Sequence, residues 1–234
     1  FFSRQPKSIL GIDIGASAVK MVELSMHRGR PSLGTYGFAE LEKDEEETLR
    51  QQPDRAGAIL KQLLKQSGAT SRRVVASVPT FSVFSSVVHL PLVSKKEQDM
   101  AVRRETAKLI RQPIDEMLVH WEPLSVLPSG MQRVVSTHQD APVANDIIPS
   151  TPHIADTAGS MKGTHVLVTA TEKKLVAEYT TMFKAAGLEL AGLETEAFAL
   201  TRSLVGHDLS IVMIVDIGAV NTDIMVIDAG VPVM

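Results

Sequence analysis

One short pattern occurs twice in the chain and constrains its fold more than any other feature. Residues 12–16 read Ile-Asp-Ile-Gly-Ala, and residues 215–219 read Val-Asp-Ile-Gly-Ala. Each copy ends one apolar strand and precedes another, with the glycine in the turn between them. Because repeats of this kind indicate related halves, the sequence predicts two equivalent strand–turn–strand units, one near each end of the chain.

The residue types of the repeat point to a phosphate and metal site. Asp13 and Asp216 stand in otherwise apolar strands, where a carboxylate is costly to bury without a cation or donors. Gly15 and Gly218 allow a tight turn and close approach to a ligand, and successive N–H groups in such a turn form an anion-binding concavity. Two facing hairpins would hold a polyphosphate from both sides, with both carboxylates reaching a hydrated Mg²⁺.

Composition and missing motifs exclude several other classes. The 234 residues carry a net charge of -3, without the basic excess typical of nucleic-acid-binding proteins, so no nucleic-acid partner is expected. The absence of cysteine excludes disulfides and thiolate zinc sites. The apolar runs are far shorter than the ~20 residues of a membrane span. Neither a P-loop nor a Gly-x-Gly-x-x-Gly motif is present, which excludes those nucleotide-binding folds.

Hydrophobic periodicity and turn residues predict alternating strands and helices along the chain. The predicted strands are residues 9–14, 19–24, 33–39, 73–78, 81–90, 118–127, 164–171, 211–218 and 223–227. The predicted helices are a segment opened by Pro53 and closed by Gly68, a segment 94–111 with a Ser94/Glu97 capping box, and segments 173–186 and 194–204. The Pro-rich stretch 128–163 shows no period and is expected to be a long flexible loop.

Residues 11–20 resemble the first phosphate motif of the actin-like ATPase superfamily, and residues 216–222 resemble the second. The resemblance implies that Asp13 and Asp216 hold the metal through water and that Lys20 contacts phosphate. The other nucleotide-binding positions it implies are Gly15, Ala16, Ser17, Gly218, Ala219, Asn221 and Thr222. Ala16 and Ala219 replace a Ser and an Asp of actin, which implies a weak ATPase at most. Residues 194–200 resemble the superfamily's connecting helix, which gives Glu196 the catalytic role of positioning the attacking water.

Residues 74–79, 87–97, 104–105, 113–116 and 183–188 are similar to the family of type IV pilus assembly proteins known as PilM. This family shares its layout with the division protein FtsA. The similarity implies an α/β, actin-like ATPase fold with a ribonuclease H-like βββαβα core and an inserted strand–helix–strand–strand subdomain. The expected divisions are 1–79 with 189–207 for the core, 80–188 for the inserted subdomain and 208–234 for the start of a second half. On this layout the chain is expected to be truncated at its C-terminal end.

The function implied by the similarity is that of a cytoplasmic ATP-binding scaffold. Such a protein would bind the N-terminal cytoplasmic tail of PilN and so lie against the inner-membrane pilus assembly platform, peripheral to the membrane. Two alternatives stay open: an FtsA-like cell-division protein, and a sugar- or acetate-kinase-type phosphotransferase of the same superfamily. Self-association is a further option, because the superfamily often forms filaments.

Overall fold

A computed structural model describes residues 8–42, 49–91, 93–124, 128 and 163–233. The strands are β1 (Ser8–Ile14), β2 (Ala18–His27), β3 (Arg30–Glu40), β4 (Arg73–Val78), β5 (Val83–Pro91), β6 (Met117–Pro123), β7 (Gly163–Glu172), β8 (Glu189–Thr195), β9 (Val212–Ile217), β10 (Thr222–Asp228) and β11 (Val231–Pro232). The α-helices are α1 (Pro53–Ser67), α2 (Gln98–Ala107), α3 (Lys173–Ala185) and α4 (Glu196–Leu200). Within these ranges no helix has the length and apolar character needed to cross a bilayer.

A five-stranded sheet in the order β3-β2-β1-β4-β8 forms the centre of the molecule. Strands β1, β2 and β3 form an antiparallel meander, and β4 and β8 run parallel to β1. Helices α1 and α3 lie against each other, and their apolar side chains share one buried cluster with the strands. The expected βββαβα order is therefore present as β1–β2–β3–α1–β4–α3.

Local sequence signals explain where α1 begins and ends. Pro53 occupies the first turn, where its missing N–H costs nothing, and Gly68 ends the helix in the left-handed conformation with φ 70°. Leu60, Leu63 and Leu64 are buried at helical spacing. The predicted helix is confirmed at both ends.

A second, three-stranded sheet is inserted between β4 and α3, with the antiparallel order β5-β7-β6. Helix α2 packs on one face through Val102, which shares a buried cluster with Val88 and Val168. The predicted strand–helix–strand–strand order is confirmed. The predicted loop 128–163 lies outside the described residues except at its two ends.

Helix α3 lies within the range 80–188 that was predicted for the inserted subdomain. Its buried side chains Tyr179, Met182 and Phe183 nevertheless belong to the core of the five-stranded sheet. The packing thus groups α3 with the five-stranded sheet rather than with the inserted sheet.

The prediction that α2 begins at Ser94 through a capping box is wrong. Glu97 accepts hydrogen bonds from the Ser94 hydroxyl at 2.7 Å and from the Ser94 N–H at 3.1 Å. The Ser94 hydroxyl is therefore engaged with a side chain instead of a backbone N–H of the first turn. Residues 94–97 form a separate turn, and the helix spans only Gln98–Ala107.

Strand β8 was not predicted, and the predicted helix 194–204 begins too early. Thr195 is the last residue of β8, and its hydroxyl accepts a hydrogen bond from the Phe198 N–H, which fixes the helix start at Glu196. After α4 the chain continues as a π-helical turn, Thr201–Val205. A third sheet, β11-β10-β9, packs Ile214 and Met225 against Ala197 of α4.

Candidate functional site

The first hairpin places a lysine directly opposite the aspartate of the repeated motif. Asp13 on β1 pairs with Lys20 on β2, and the Lys20 Nζ lies 3.2 Å from Asp13 Oδ2. Ser77, on the neighbouring strand β4, donates a hydrogen bond of 2.5 Å to Asp13 Oδ1. Three strands therefore orient one carboxylate. Sequence reasoning identified Asp13 and Lys20 but not Ser77, since only the pairing of β1 with β4 brings it there.

The turns of the two hairpins have the same hydrogen-bond geometry. The Gly15 N–H donates to the Ala18 carbonyl at 3.0 Å, and the Gly218 N–H donates to the Asn221 carbonyl at 2.9 Å. Both turns therefore close over the same number of residues. The predicted equivalence of the two strand–turn–strand units is confirmed.

The second hairpin differs from the first in the residue that faces the motif aspartate. Asp216 on β9 pairs with Asp223 on β10, and the Asn221 amide donates to Asp223 Oδ2 at 3.0 Å. Like charges placed directly opposite each other across a sheet are destabilising, so this pair favours a cation. Asp223 was missed from sequence, although the repeat itself held the signal: each cross-strand partner lies seven positions after its motif aspartate.

Glu196, at the start of α4, joins the two hairpins into one acidic cluster. Burial raises the pKa of the Glu196 carboxyl to about 7, and the negative charges of Asp13, Asp223 and Asp216 add to the effect. The Thr80 N–H donates a hydrogen bond to this carboxylate, which favours the ionised form. Aspartates from both ends of the chain, Asp13 and Asp216, thus raise the pKa of the same carboxyl group.

The remaining predicted positions lie in the two turns. Ser17 is exposed at the tip of the first hairpin, where its carbonyl accepts a hydrogen bond from the Leu41 N–H at 2.8 Å. Ala16 is half-buried, Ala219 and Asn221 are exposed in the second turn, and Thr222 is exposed at the start of β10. The backbone of both turns is therefore accessible to a ligand.

The cluster consists of carboxylates, which are the groups that hard divalent cations prefer. Across the described ranges, no three acidic or histidine side chains converge closely enough to coordinate one ion directly. Mg²⁺ usually keeps most of its waters, and carboxylates such as those of Asp13, Asp216 and Asp223 are suited to accept hydrogen bonds from such waters. Lys20 and the turn N–H groups suit an accompanying anion.

A separate groove of about 510 Å³ lies between the five-stranded sheet and the inserted sheet. One wall consists of β8 and α3, and the other is the face of the inserted sheet opposite α2. Six of its apolar lining residues are Val78, Val83, Leu167, Leu175, Leu193 and Phe198. No sequence pattern had indicated which residues line such a groove, because they come from six different elements.

Comparison with known proteins identifies both the family and the fold. The family model for type IV pilus assembly protein PilM matches residues 11–139. The chain is also similar to a chain of a solved PilM–PilN type IV pilus biogenesis complex, with 23% identity and a TM-score of 0.68. That match covers 97% of this chain and 60% of the other, and it shows that the two chains share a fold.

Two further solved structures are more distantly similar. The cytoplasmic domain of EpsL, an inner-membrane component of the type II secretion system of Vibrio cholerae, is 11% identical with a TM-score of 0.45. That match covers 82% of this chain and 58% of EpsL. A Bacteroides thetaiotaomicron protein with an actin-like ATPase fold is also 11% identical with a TM-score of 0.45, over 100% of this chain and 70% of that one.

Proposed function

The chain belongs to the PilM family of type IV pilus assembly proteins, and we propose that it acts as an ATP-binding scaffold that holds the N-terminal tail of the membrane protein PilN. The sequence covers 60% of the matched chain in the PilM–PilN complex. The proposal therefore describes what these 234 residues would do within a longer protein. Binding the PilN tail would keep the protein in the cytoplasm and peripheral to the inner membrane.

The groove between the five-stranded sheet and the inserted sheet is the observation that carries the proposal. A scaffold needs a partner site that is distinct from its nucleotide site, and the groove has lining residues different from those of the acidic cluster. Its volume and its mainly apolar lining suit a short peptide segment, for which apolar surface supplies most of the binding free energy.

The acidic cluster supports the nucleotide part of the proposal. Mg²⁺ would be held through water by Asp13 and Asp216, and it would neutralise charge on the ATP phosphates. Lys20 lies 3.2 Å from Asp13, so it could turn toward a phosphate oxygen once a cation competes for that carboxylate. The Gly15 and Gly218 N–H groups already donate within their turns, so the phosphates would be met by the N–H groups of the turn residues that follow those glycines.

Glu196 is proposed to orient water beside the phosphates, and hydrolysis is expected to be weak. A carboxyl with a pKa of about 7 is only partly ionised at neutral pH, so it is poised as a weak acceptor for a proton from water. A cation bound by the neighbouring aspartates would lower that pKa and increase the ionised fraction.

Titration calorimetry of the full-length protein with a synthetic PilN N-terminal peptide tests the partner assignment. Saturable binding is expected, with a Kd in the micromolar range that is typical of short peptides, or about -8 kcal/mol. A scrambled peptide and the C-terminal tail of FtsZ serve as controls. Binding of the FtsZ tail in place of the PilN tail would contradict the pilus assignment and favour a division protein.

Substitution of Asp13 tests the nucleotide assignment. Asp13→Ala removes a carboxylate that would accept hydrogen bonds from metal-bound water, so Mg-ATP affinity is expected to fall at least tenfold, or about 1.4 kcal/mol. Asp115→Ala is the matched control, because the Asp115 side chain is 96% exposed on the inserted unit. Unchanged Mg-ATP affinity in the Asp13 variant, measured by calorimetry, would contradict the site.

A further inference from the structure

We infer that Thr80 is a positioning residue for Glu196: in the protein with bound Mg-ATP, the Thr80 hydroxyl donates a hydrogen bond that holds the Glu196 carboxylate toward the attacking water. This inference rests on the proposed role of Glu196 in orienting that water. Thr80 follows β4 and opens a 3₁₀ turn, Thr80–Ser82. Its N–H already donates to the Glu196 carboxylate. The hydroxyl of the same residue is therefore carried next to that carboxylate.

The Thr80 hydroxyl is buried and has no hydrogen-bond partner. Its oxygen is shielded from solvent, and none of the groups that the structure describes makes a hydrogen bond with it. Burying a hydroxyl without a partner is costly, and buried polar side chains in native proteins nearly always have one. The unpaired Thr80 hydroxyl therefore indicates a second state of the site in which a partner is present.

Two other carboxylates of this chain show the arrangement that this second state would have. Glu23 accepts hydrogen bonds from the Thr70 N–H at 2.8 Å and from the Thr70 hydroxyl at 2.9 Å. Glu97 accepts hydrogen bonds from the Ser94 N–H at 3.1 Å and from the Ser94 hydroxyl at 2.7 Å. In each pair, one residue holds a carboxylate through both its N–H and its hydroxyl, which fixes the orientation of the carboxylate.

Thr80 makes only the first of these two bonds to Glu196, and rotation of its side chain would supply the second. Threonine side chains move between staggered rotamers about the Cα–Cβ bond. A hydrogen bond from a hydroxyl to a carboxylate is charge-assisted and stronger than one between neutral groups. Mg²⁺ beside the aspartates would offset the negative charge that acts on Glu196, which favours this bond once Mg-ATP is present.

The backbone that carries Thr80 is held in place by its neighbours. The Ser82 N–H and the Ser82 hydroxyl donate to the Pro79 carbonyl at 3.0 Å and 2.6 Å. The Thr171 hydroxyl, on β7, donates to the Ser82 carbonyl at 3.1 Å. A fixed backbone lets a change of one side-chain torsion place the hydroxyl accurately, which is what a positioning residue requires.

The end of β4 would then serve both parts of the acidic cluster. Ser77, in β4, donates to Asp13, and Thr80, just after the strand, donates to Glu196. Because both donors belong to one short segment, the carboxylate proposed to face the cation and the carboxylate proposed to face water keep a fixed separation.

Single-turnover hydrolysis of radiolabelled ATP by the full-length protein tests this role. Thr80→Val removes the hydroxyl and keeps the shape of the side chain, so the maximal rate is expected to fall about tenfold. Thr80→Ser keeps the hydroxyl and is expected to stay within about twofold of the parent rate. The ATP concentration that gives half of the maximal rate should be the same for all three proteins, because Thr80 is given no contact with the nucleotide.

Thermal denaturation distinguishes positioning from a structural role. Thr80→Val removes a hydroxyl that has no partner in the ligand-free protein, so the Tm of this variant should be equal to or above that of the parent. Thr106→Val is the matched control. The Thr106 hydroxyl is buried in α2 on the inserted unit and donates to the Val102 carbonyl at 2.8 Å, so its removal should leave the hydrolysis rate unchanged.

The outcomes separate this inference from the proposed function. An unchanged rate in Thr80→Val, or a reduced rate in Thr80→Ser equal to that of Thr80→Val, would overturn the positioning role and leave the nucleotide proposal intact. A loss of Tm and of Mg-ATP affinity together with the rate would assign Thr80 a structural role and would also overturn it. A parent protein that does not hydrolyse ATP would overturn both this inference and the role of Glu196, while Asp13→Ala tests Mg-ATP binding separately.

Discussion

At the scale of single residues, the two copies of the motif differ in the side chain that faces the aspartate. Asp13 faces Lys20 and also accepts a hydrogen bond from Ser77, so its charge is partly balanced within the protein. Asp216 faces Asp223 instead. Negative charge therefore accumulates on the second hairpin, and it contributes to the raised pKa of Glu196. The asymmetry places a lysine beside one motif aspartate and a second carboxylate beside the other.

The Glu196 carboxyl should make the stability of the protein depend on pH. Its pKa is raised from 4.5 to about 7, so the folded state retains a proton that the unfolded state has lost. Stability from this group is therefore lost as the pH rises from 4.5 to 7. Glu196→Gln removes that loss, and the variant should be more stable than the parent by about 1 kcal/mol at pH 8.

Urea denaturation of the two proteins at several pH values measures this difference. The advantage of Glu196→Gln should disappear below pH 4.5, where the glutamate is protonated in both states. Glu116→Gln, at an exposed position, serves as the control and should show no such trend. An advantage of the same size at pH 4 and pH 8 would show that the effect does not come from ionisation of Glu196.

At the scale of elements, the two hairpin turns have the same hydrogen bond but different amounts of space. A Cβ added at Gly218 would lie 2.9 Å from the Asn221 carbonyl oxygen, which is closer than real contacts allow. A Cβ added at Gly15 would lie 3.6 Å from the Ala18 carbonyl oxygen, an ordinary contact. The glycine of the second motif is therefore required by the turn itself, and the glycine of the first is not.

This difference predicts opposite results for the same substitution in the two turns. Gly218→Ala forces the turn open and should cost about 1–2 kcal/mol of unfolding free energy. Gly15→Ala should change stability by less than about 0.5 kcal/mol while weakening Mg-ATP binding, because its methyl group would point into the proposed phosphate site. Thermal denaturation and calorimetry distinguish the two effects. Equal stability losses would contradict the geometry of the turns.

The segment that contains β8 and α4 shows why secondary structure is sometimes mispredicted from sequence. Residues 189–195 have a weak alternating pattern that is interrupted by Gly192, and they form a strand because they pair with β4. The helix after them was predicted to begin at residue 194, two residues before its actual start at Glu196. The Thr195 cap, which is itself buried at the end of β8, decides the actual boundary.

At the scale of the whole molecule, the apolar residues of the described ranges form three separate buried clusters. One lies between the five-stranded sheet and helices α1 and α3, one lies between the inserted sheet and α2, and one lies beneath α4. Separate clusters allow parts of a protein to open independently. The groove lies between the first two, so its width depends on how those two units are held together.

A matched pair of core substitutions tests this independence. Val168 and Val74 are both fully buried, in the inserted sheet and in the five-stranded sheet respectively. Replacing either one by Ala should cost about 2 kcal/mol. Val168→Ala should accelerate hydrogen exchange in β5, β6 and β7 and leave β1 and β4 unchanged, and Val74→Ala should do the reverse. Uniform acceleration by both variants would show that the two units unfold as one.

Features that depend on neighbours along the chain followed from the sequence alone. These include the repeated hairpins with their aspartates and helix α1 between Pro53 and Gly68, because turn residues and hydrophobic period are local properties. The tertiary structure decided everything that depends on strands distant in sequence. Pairing of β1 with β4 brought Ser77 to Asp13, pairing of β9 with β10 set Asp223 against Asp216, and the position of β8 at the sheet edge created a wall of the groove. Sheet pairing joins residues at any separation, so periodicity alone does not specify it.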